Sequence, residues 1–241
     1  MCDSCATTDE HVPPKCLFPD EKDLPPRVSL REELIKVPSC KAHNTAKSRD
    51  DEYLLYVLCM NIANNSIAFQ QFATKIMRAY NRRPALMKSI VAESKKVVAV
   101  DSNGTAMNTL MVKADMPRIH KCFNQMARAL YYHEFRKPFI GHCRFVHDFT
   151  IRYKSKFKVV VSTGEKEHSA IEHVKAYFKD LDHKGKNASV FRYRFEEPDD
   201  QGRIAVSMQF YGGSNVFIVF LPIGENSGDN SSTLQGSVRR A

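Results

Sequence analysis

Across residues 48–94 apolar side chains recur every three or four positions, the spacing of helices that each bury one face. Ser48-Arg49-Asp50-Asp51 has the form of a capping box, and Tyr53, Leu54, Leu55, Val57, Leu58, Met60 and Ile62 follow it. A second helix is predicted over residues 67–80, where Phe69, Phe72, Ile76 and Met77 share a stripe. Arg82, Arg83 and Pro84 interrupt it, and a third, shorter helix carries Leu86, Ile90 and Val91. The pattern then turns strand-like at 96–100 and 109–113, joined through the turn signal Asp101-Ser102-Asn103-Gly104. Residues 116–135 read as a long helix with Ile119, Phe123, Met126, Ala127 and Leu130 on one face. Strands are predicted at 157–162, 189–195 and 204–210, with a helix at 167–178 between the first two. Tyr211-Gly212-Gly213-Ser214-Asn215 should close a hairpin onto a last strand at 216–221.

The first 53 residues follow neither period. Six of the chain's 11 prolines lie here, at Pro13, Pro14, Pro19, Pro25, Pro26 and Pro38. Each removes a backbone donor and biases its predecessor to extended conformations, so short strands and loops are expected before Lys41. The expected fold is α+β: a small metal-stapled head, then a helical segment, then a mixed α/β region. The divisions expected are a head at 1–53, an α+β domain of unassigned role at 54–222, and a Gly/Ser/Asn-rich, disordered tail at 223–241.

The chain has 241 residues, of which 43% are hydrophobic, enough for a packed core. It contains no apolar run of membrane-spanning length, and its first residues lack the basic and apolar regions of a secretory signal. Seven cysteines, an odd number, suit metal-bound thiolates in a reducing compartment better than a disulfide framework. A cytoplasmic protein without a membrane partner is therefore expected. A formal net charge of +9 favours a polyanionic partner, because each neutralised phosphate releases condensed counterions.

The head also holds the candidate chemistry. Cys2-Asp3-Ser4-Cys5 and Cys40-Lys41-Ala42-His43 are two pairs at the spacing of a tetrahedral zinc site, so Cys2, Cys5, Cys40 and His43 are the expected structural zinc ligands. Cys16 is an alternative to His43 as the fourth. Glu10, His11 and Asn44 offer a carboxylate, an imidazole and an amide oxygen, which suit a second, harder metal. Elsewhere His142, Cys143 and His147 invite a metal but lack a convincing further ligand.

Glu10-His11-Val12-Pro13-Pro14-Lys15 after a Cys-x-x-Cys, then Leu34-Ile35-Lys36-Val37-Pro38-Ser39-Cys40, then His43-Asn44 and Lys47, resembles the zinc-bearing branch of the HNH endonucleases. The resemblance covers only residues 1–53. It implies a treble-clef or ββα-metal finger, in which a hairpin bears the acid-His pair and a helix bears the final Asn. It implies a catalytic Mg2+ or Mn2+ held by Glu10 and Asn44, with His11 as the general base that deprotonates water for attack on a phosphodiester. Lys15 and Lys47 would contact neighbouring phosphates. The chain departs from the family at Glu33, where an asparagine usually orients the base; a carboxylate there would accept the imidazole N–H. It departs again at His43, in place of the commoner cysteine. Because Glu10 and His11 are adjacent, an extended strand would send them to opposite sides. A bend encouraged by Pro13 and Pro14 is needed for both to converge on one phosphate.

Three classes of function follow. The first is a metal-dependent DNA endonuclease, such as a bacterial defence or mobile-element effector, with RNA as an alternative substrate. The second is a nucleic-acid-binding zinc finger whose nuclease centre has lapsed. The third is a zinc-stabilised protein-interaction module, with residues 54–222 as a further surface for a protein partner. Basic clusters around Arg78, Arg82, Arg83, Lys88, Lys95 and Lys96 suit either a solvated face or a nucleic-acid groove.

Overall fold

The computed structural model of the chain describes residues 6–101, 105–148, 157–159 and 165–223. Cys2, Cys5, most of the expected turn at 101–104 and nearly all of the expected tail lie outside the described residues. The architecture is mixed α+β. Its head opens with an antiparallel ribbon, β1 (Thr8–Val12) against β2 (Ile35–Ser39), and β2 leads into α1 (Lys41–Ala46). Between the strands the chain forms short 3₁₀ turns at Lys15–Leu17 and Glu21–Asp23, as its prolines dictate.

The next helix, α2 (Ser48–Cys59), buries every residue from Tyr53 to Cys59. A helix that is apolar on all sides must be covered on all sides. The long helix α6 covers one side and the first 3₁₀ turn of the head another. The capping box expected at Ser48 does not form. Lys47 is itself helical, with φ −84° and ψ −13°, so α1 passes almost without a break into α2. The Ser48 hydroxyl instead donates back to the Thr45 carbonyl at 3.1 Å.

The single helix expected at 67–80 is a rod in three parts: α3 (Ser66–Gln71), a π-helical turn (Phe72–Ile76) and α4 (Met77–Arg82). Asn65 caps it by accepting from the Ile67 and Ala68 amides. Lys75, in the π turn, donates to the Cys16 and Phe18 carbonyls at 2.8 and 3.1 Å. After α5 (Ala85–Val91), β3 (Lys95–Asp101) and β4 (Ala106–Met111) form a hairpin. Then α6 (Met116–Phe135) follows at the predicted bounds, with Asp115 as its cap. The last elements are β5 (Gly141–His147), β6 (Phe157–Val159), α7 (Glu165–Tyr177), β7 (Phe191–Phe195), β8 (Ile204–Phe210) and β9 (Ser214–Pro222). They give a sheet of order β4-β3-β6 and an antiparallel sheet of order β5-β9-β8-β7.

One apolar cluster runs through the molecule. Phe123 on α6 meets Phe210 with ring centroids 5.9 Å apart, and Tyr131 meets Phe220 at 5.3 Å, so α6 is seated on the four-stranded sheet. Val12, Leu17, Phe18 and Val37 from the head belong to the same cluster as α2, α6 and that sheet. The expected division at 53/54 therefore falls inside α2, and no break in packing marks it. Polar clamps reinforce the join. Arg78 forks onto both oxygens of Asp23 at 2.7 and 2.6 Å, a bidentate pair that takes it out of the expected basic cluster. Buried Tyr211, at the tip of the β8–β9 hairpin, donates its hydroxyl to the Leu17 carbonyl at 2.5 Å. Gly213 beside it has no room for a side chain, because a Cβ would lie 2.1 Å from the Ala63 carbonyl oxygen.

Strand β5 is not visible in the hydropathy pattern. Its inward positions are Cys143, Phe145 and His147, two of them polar or weakly apolar, while His142 and Arg144 are exposed. His142 thus faces away from Cys143 and His147, and the three do not gather. His147 instead lies with its Nε2 3.3 Å from that of His120. Among the described residues no helix is long and apolar enough to cross a membrane.

Glu196, just past β7, has its carboxyl pushed up to about 7 by burial and by nearby Asp199. A carboxyl whose folded pKa is raised holds its proton in the folded state where the unfolded chain has lost it. Stability from this group is present at low pH and is lost as pH rises from about 4.5 to about 7. Glu196→Gln should flatten that part of the stability profile, measured by urea unfolding at intervals across the window. An unchanged slope would show that Glu196 ionises as it does in the unfolded chain.

Candidate functional site

Strands β1 and β2 pair without interruption from Thr8 opposite Ser39 to Val12 opposite Ile35. No bulge re-aims a side chain, so Glu10 and His11 alternate across the ribbon. Glu10 lies opposite buried Val37 and belongs to the inner face, toward the helices. His11 lies opposite exposed Lys36 and belongs to the outer face. The bend that would bring both side chains to one side does not occur within β1, because the five paired residues hold it straight. What the two share is the strand itself, which is an edge: among the described residues it pairs only with β2.

On the inner face, Glu10 Oε1 accepts from the Lys47 ammonium at 2.5 Å. Lys47 also lies 3.5 Å from Asp51, one turn along α2. The three side chains are only 6%, 12% and 12% exposed for Lys47, Glu10 and Asp51. Burial pushes the Asp51 carboxyl up to about 6; the Lys47 charge opposes this and the Glu10 charge adds to it. Lys47 is therefore not a surface cation. It is the shared partner of two buried carboxylates, because leaving either unpaired would cost its full desolvation. Asn44 reaches the same strand from α1, donating its amide to the Asp9 carbonyl at 3.3 Å and the Thr8 hydroxyl at 3.4 Å. That fixes the amide nitrogen on the strand and leaves Oδ1 at its other end.

On the outer face, His11 is half-buried and stands in a positive field. Burial lowers its pKa most, and the charges of Lys36 and Lys15 lower it further, with a smaller contribution from Lys47. The imidazole is thus neutral at pH 7 and carries a free lone pair, the state a general base needs. Lys15 and Lys36 are both exposed and can meet an anion beside it.

The remaining expected residues fall as follows. Cys40, at the junction of β2 and α1, is buried, and its carbonyl accepts the Asn44 amide at 3.0 Å. The backbone of His43 lies in α1, while its side chain, like Cys2 and Cys5, lies outside the described residues. Cys16 donates to the Asp51 carbonyl at 3.6 Å, and burial pushes its thiol up to about 12. Glu33 adopts a left-handed backbone, with φ 49°, and its exposed carboxylate lies 3.3 Å from Lys186. Among the described residues no hydrogen bond joins Glu33 to His11, and no group of three or more His, Cys, Asp or Glu is placed to hold a metal.

Two residues of this corner escape a motif reading. Asp51 looks like a helix-start acid, and only the ion pair with Lys47 four residues earlier reveals its role. Lys36 looks like a solvated strand residue, yet the cross-strand register puts it beside His11. Glu10 and Asn44 each carry an oxygen of the kind a hard cation takes, and the Lys47 ammonium already occupies the Glu10 carboxylate. No family model, no curated protein and no solved structure matches this chain.

Proposed function

We propose that the protein is a metal-dependent endonuclease that hydrolyses phosphodiester bonds of DNA, with the HNH-like centre on the β1–β2–α1 unit. The observation that carries this reading is the half-buried outer-face imidazole of His11, its pKa lowered by burial and by the charges of exposed Lys36 and Lys15, on the strand where Glu10 immediately precedes it. Lys15 and Lys36 attract the phosphate backbone and lower the cost of bringing it beside the base. A phosphodiester laid against the outer face of β1 meets His11 directly, while Glu10 lies across the strand on the inner face, paired with Lys47.

His11 accepts a proton from water at its imidazole nitrogen as that water attacks phosphorus; the P–O3′ bond breaks and the leaving oxygen takes a proton from solvent, giving 5′-phosphate and 3′-hydroxyl ends. Glu10 and Asn44 would hold a divalent cation, Mg2+ or Mn2+, which would supply neutralisation of the negative charge that builds up in the reaction. Cys40 and His43, with Cys2 and Cys5, would hold the structural zinc that the HNH-like reading of the head calls for. Glu33 has no part in the step. The reading is tested with zinc-loaded full-length protein and supercoiled plasmid. Nicking in Mg2+ or Mn2+ that EDTA stops supports it. Salt-sensitive DNA binding without nicking selects a lapsed zinc finger, and absence of both selects the interaction module.

A further inference from the structure

The sharing of one ammonium by two buried carboxylates bears on how a cation enters the site. Lys47 Nζ is 2.5 Å from Glu10 and 3.5 Å from Asp51, so it already occupies the inner face of Glu10 with a unit positive charge. A divalent cation and this ammonium cannot both take that oxygen at contact distance. Asp51 lies on the first turn of the helix that Lys47 leads into, so it stays in reach when the lysine stem rotates. Lysine suits such a role because its charge sits on a flexible four-carbon stem and needs no fixed fork geometry.

We infer that Lys47 is a resident cation, seated on Glu10 until a divalent ion displaces it, and that Asp51 is the carboxylate that receives it. This deepens the reading of Glu10 as a cation ligand and rests on it. With Lys47 on Glu10, the pocket holds two negative charges and one positive without any metal, and the head keeps a paired interior. With a divalent ion on Glu10, the displaced ammonium keeps a partner and no buried charge is stranded. Lys47 and Asp51 are positioning residues, since neither meets the scissile phosphate.

The test uses zinc-loaded full-length protein and Mn2+ alone, with free Mn2+ read by electron paramagnetic resonance and affinity by calorimetry. Lys47→Met should bind Mn2+ at least tenfold more tightly than wild type, and Lys47→Gln should move in the same direction. Lys36→Met removes an equal charge nearby without touching Glu10 and should change affinity less than threefold. Asp51→Asn should weaken Mn2+ binding about tenfold in the wild-type background and by a clearly smaller factor in the Lys47→Met background, where only the direct charge of Asp51 on the cation is lost. Lys47 variants that bind no more tightly than Lys36→Met would overturn the inference. So would an Asp51→Asn effect as large without Lys47 as with it. Glu10→Gln separates the two levels. If it leaves Mn2+ affinity unchanged, the cation site itself is wrong and the inference falls with it. If it abolishes binding while Lys47→Met has no effect, only the resident-cation inference falls.

Discussion

Replacing His11 by alanine should lower Mn2+-dependent nicking about a thousandfold, within the range a positioned general base contributes. Zinc content, the unfolding midpoint and DNA affinity should stay near wild type. The imidazole is half-buried on the outer face of the ribbon, opposite exposed Lys36, so its loss costs rate and not fold. Its lowered pKa gives a second readout. The rising limb of kcat/KM against pH, which reports the free enzyme, should have its midpoint below the ordinary histidine value of 6.5. Lys36→Met should move that midpoint upward, because removing a neighbouring positive charge makes the imidazolium easier to form. Full activity in the zinc-loaded His11→Ala protein would remove this mechanism from consideration.

The second large effect concerns the union of head and body. Phe18 is 2% exposed and sits in the apolar cluster that also holds α2, α6 and the four-stranded sheet. Phe18→Ala should cost about 3–5 kcal/mol, the usual penalty for emptying a buried aromatic site. The loss should appear as one shifted transition for the whole chain, followed by urea with both far-UV circular dichroism and aromatic fluorescence. Two separated transitions, with the later one at the wild-type midpoint, would show a head that folds apart from the rest.

Helices with strong apolar periodicity were legible in the sequence, α6 to its bounds, because burial of one face is what periodicity records. Strand β5 was not, because its inward positions carry a thiol and an imidazole where a hydropathy pattern looks for aliphatic residues. The order acid-His, strand, helix, Asn was legible in the head, and β1, β2 and α1 stand in that order. The partnership of the site residues was not. Lys47 reads as an accessible cation in sequence, yet the near-continuous passage of α1 into α2 carries it inward to Glu10 and Asp51. Glu33 reads as a partner for the base, yet its left-handed backbone and exposed carboxylate put it on Lys186. Ion pairs between segments depend on tertiary register, which local pattern does not encode.

The central claim is that this head directs water onto a phosphodiester, with His11 taking the proton. It is tested most directly by nicking a plasmid with zinc-loaded protein and Mn2+ in water enriched in oxygen-18, then measuring the ends by mass spectrometry. The account predicts 5′-phosphate and 3′-hydroxyl ends, with the heavy oxygen in the phosphate. Intact plasmid under these conditions, or ends whose phosphate carries no label, would contradict it.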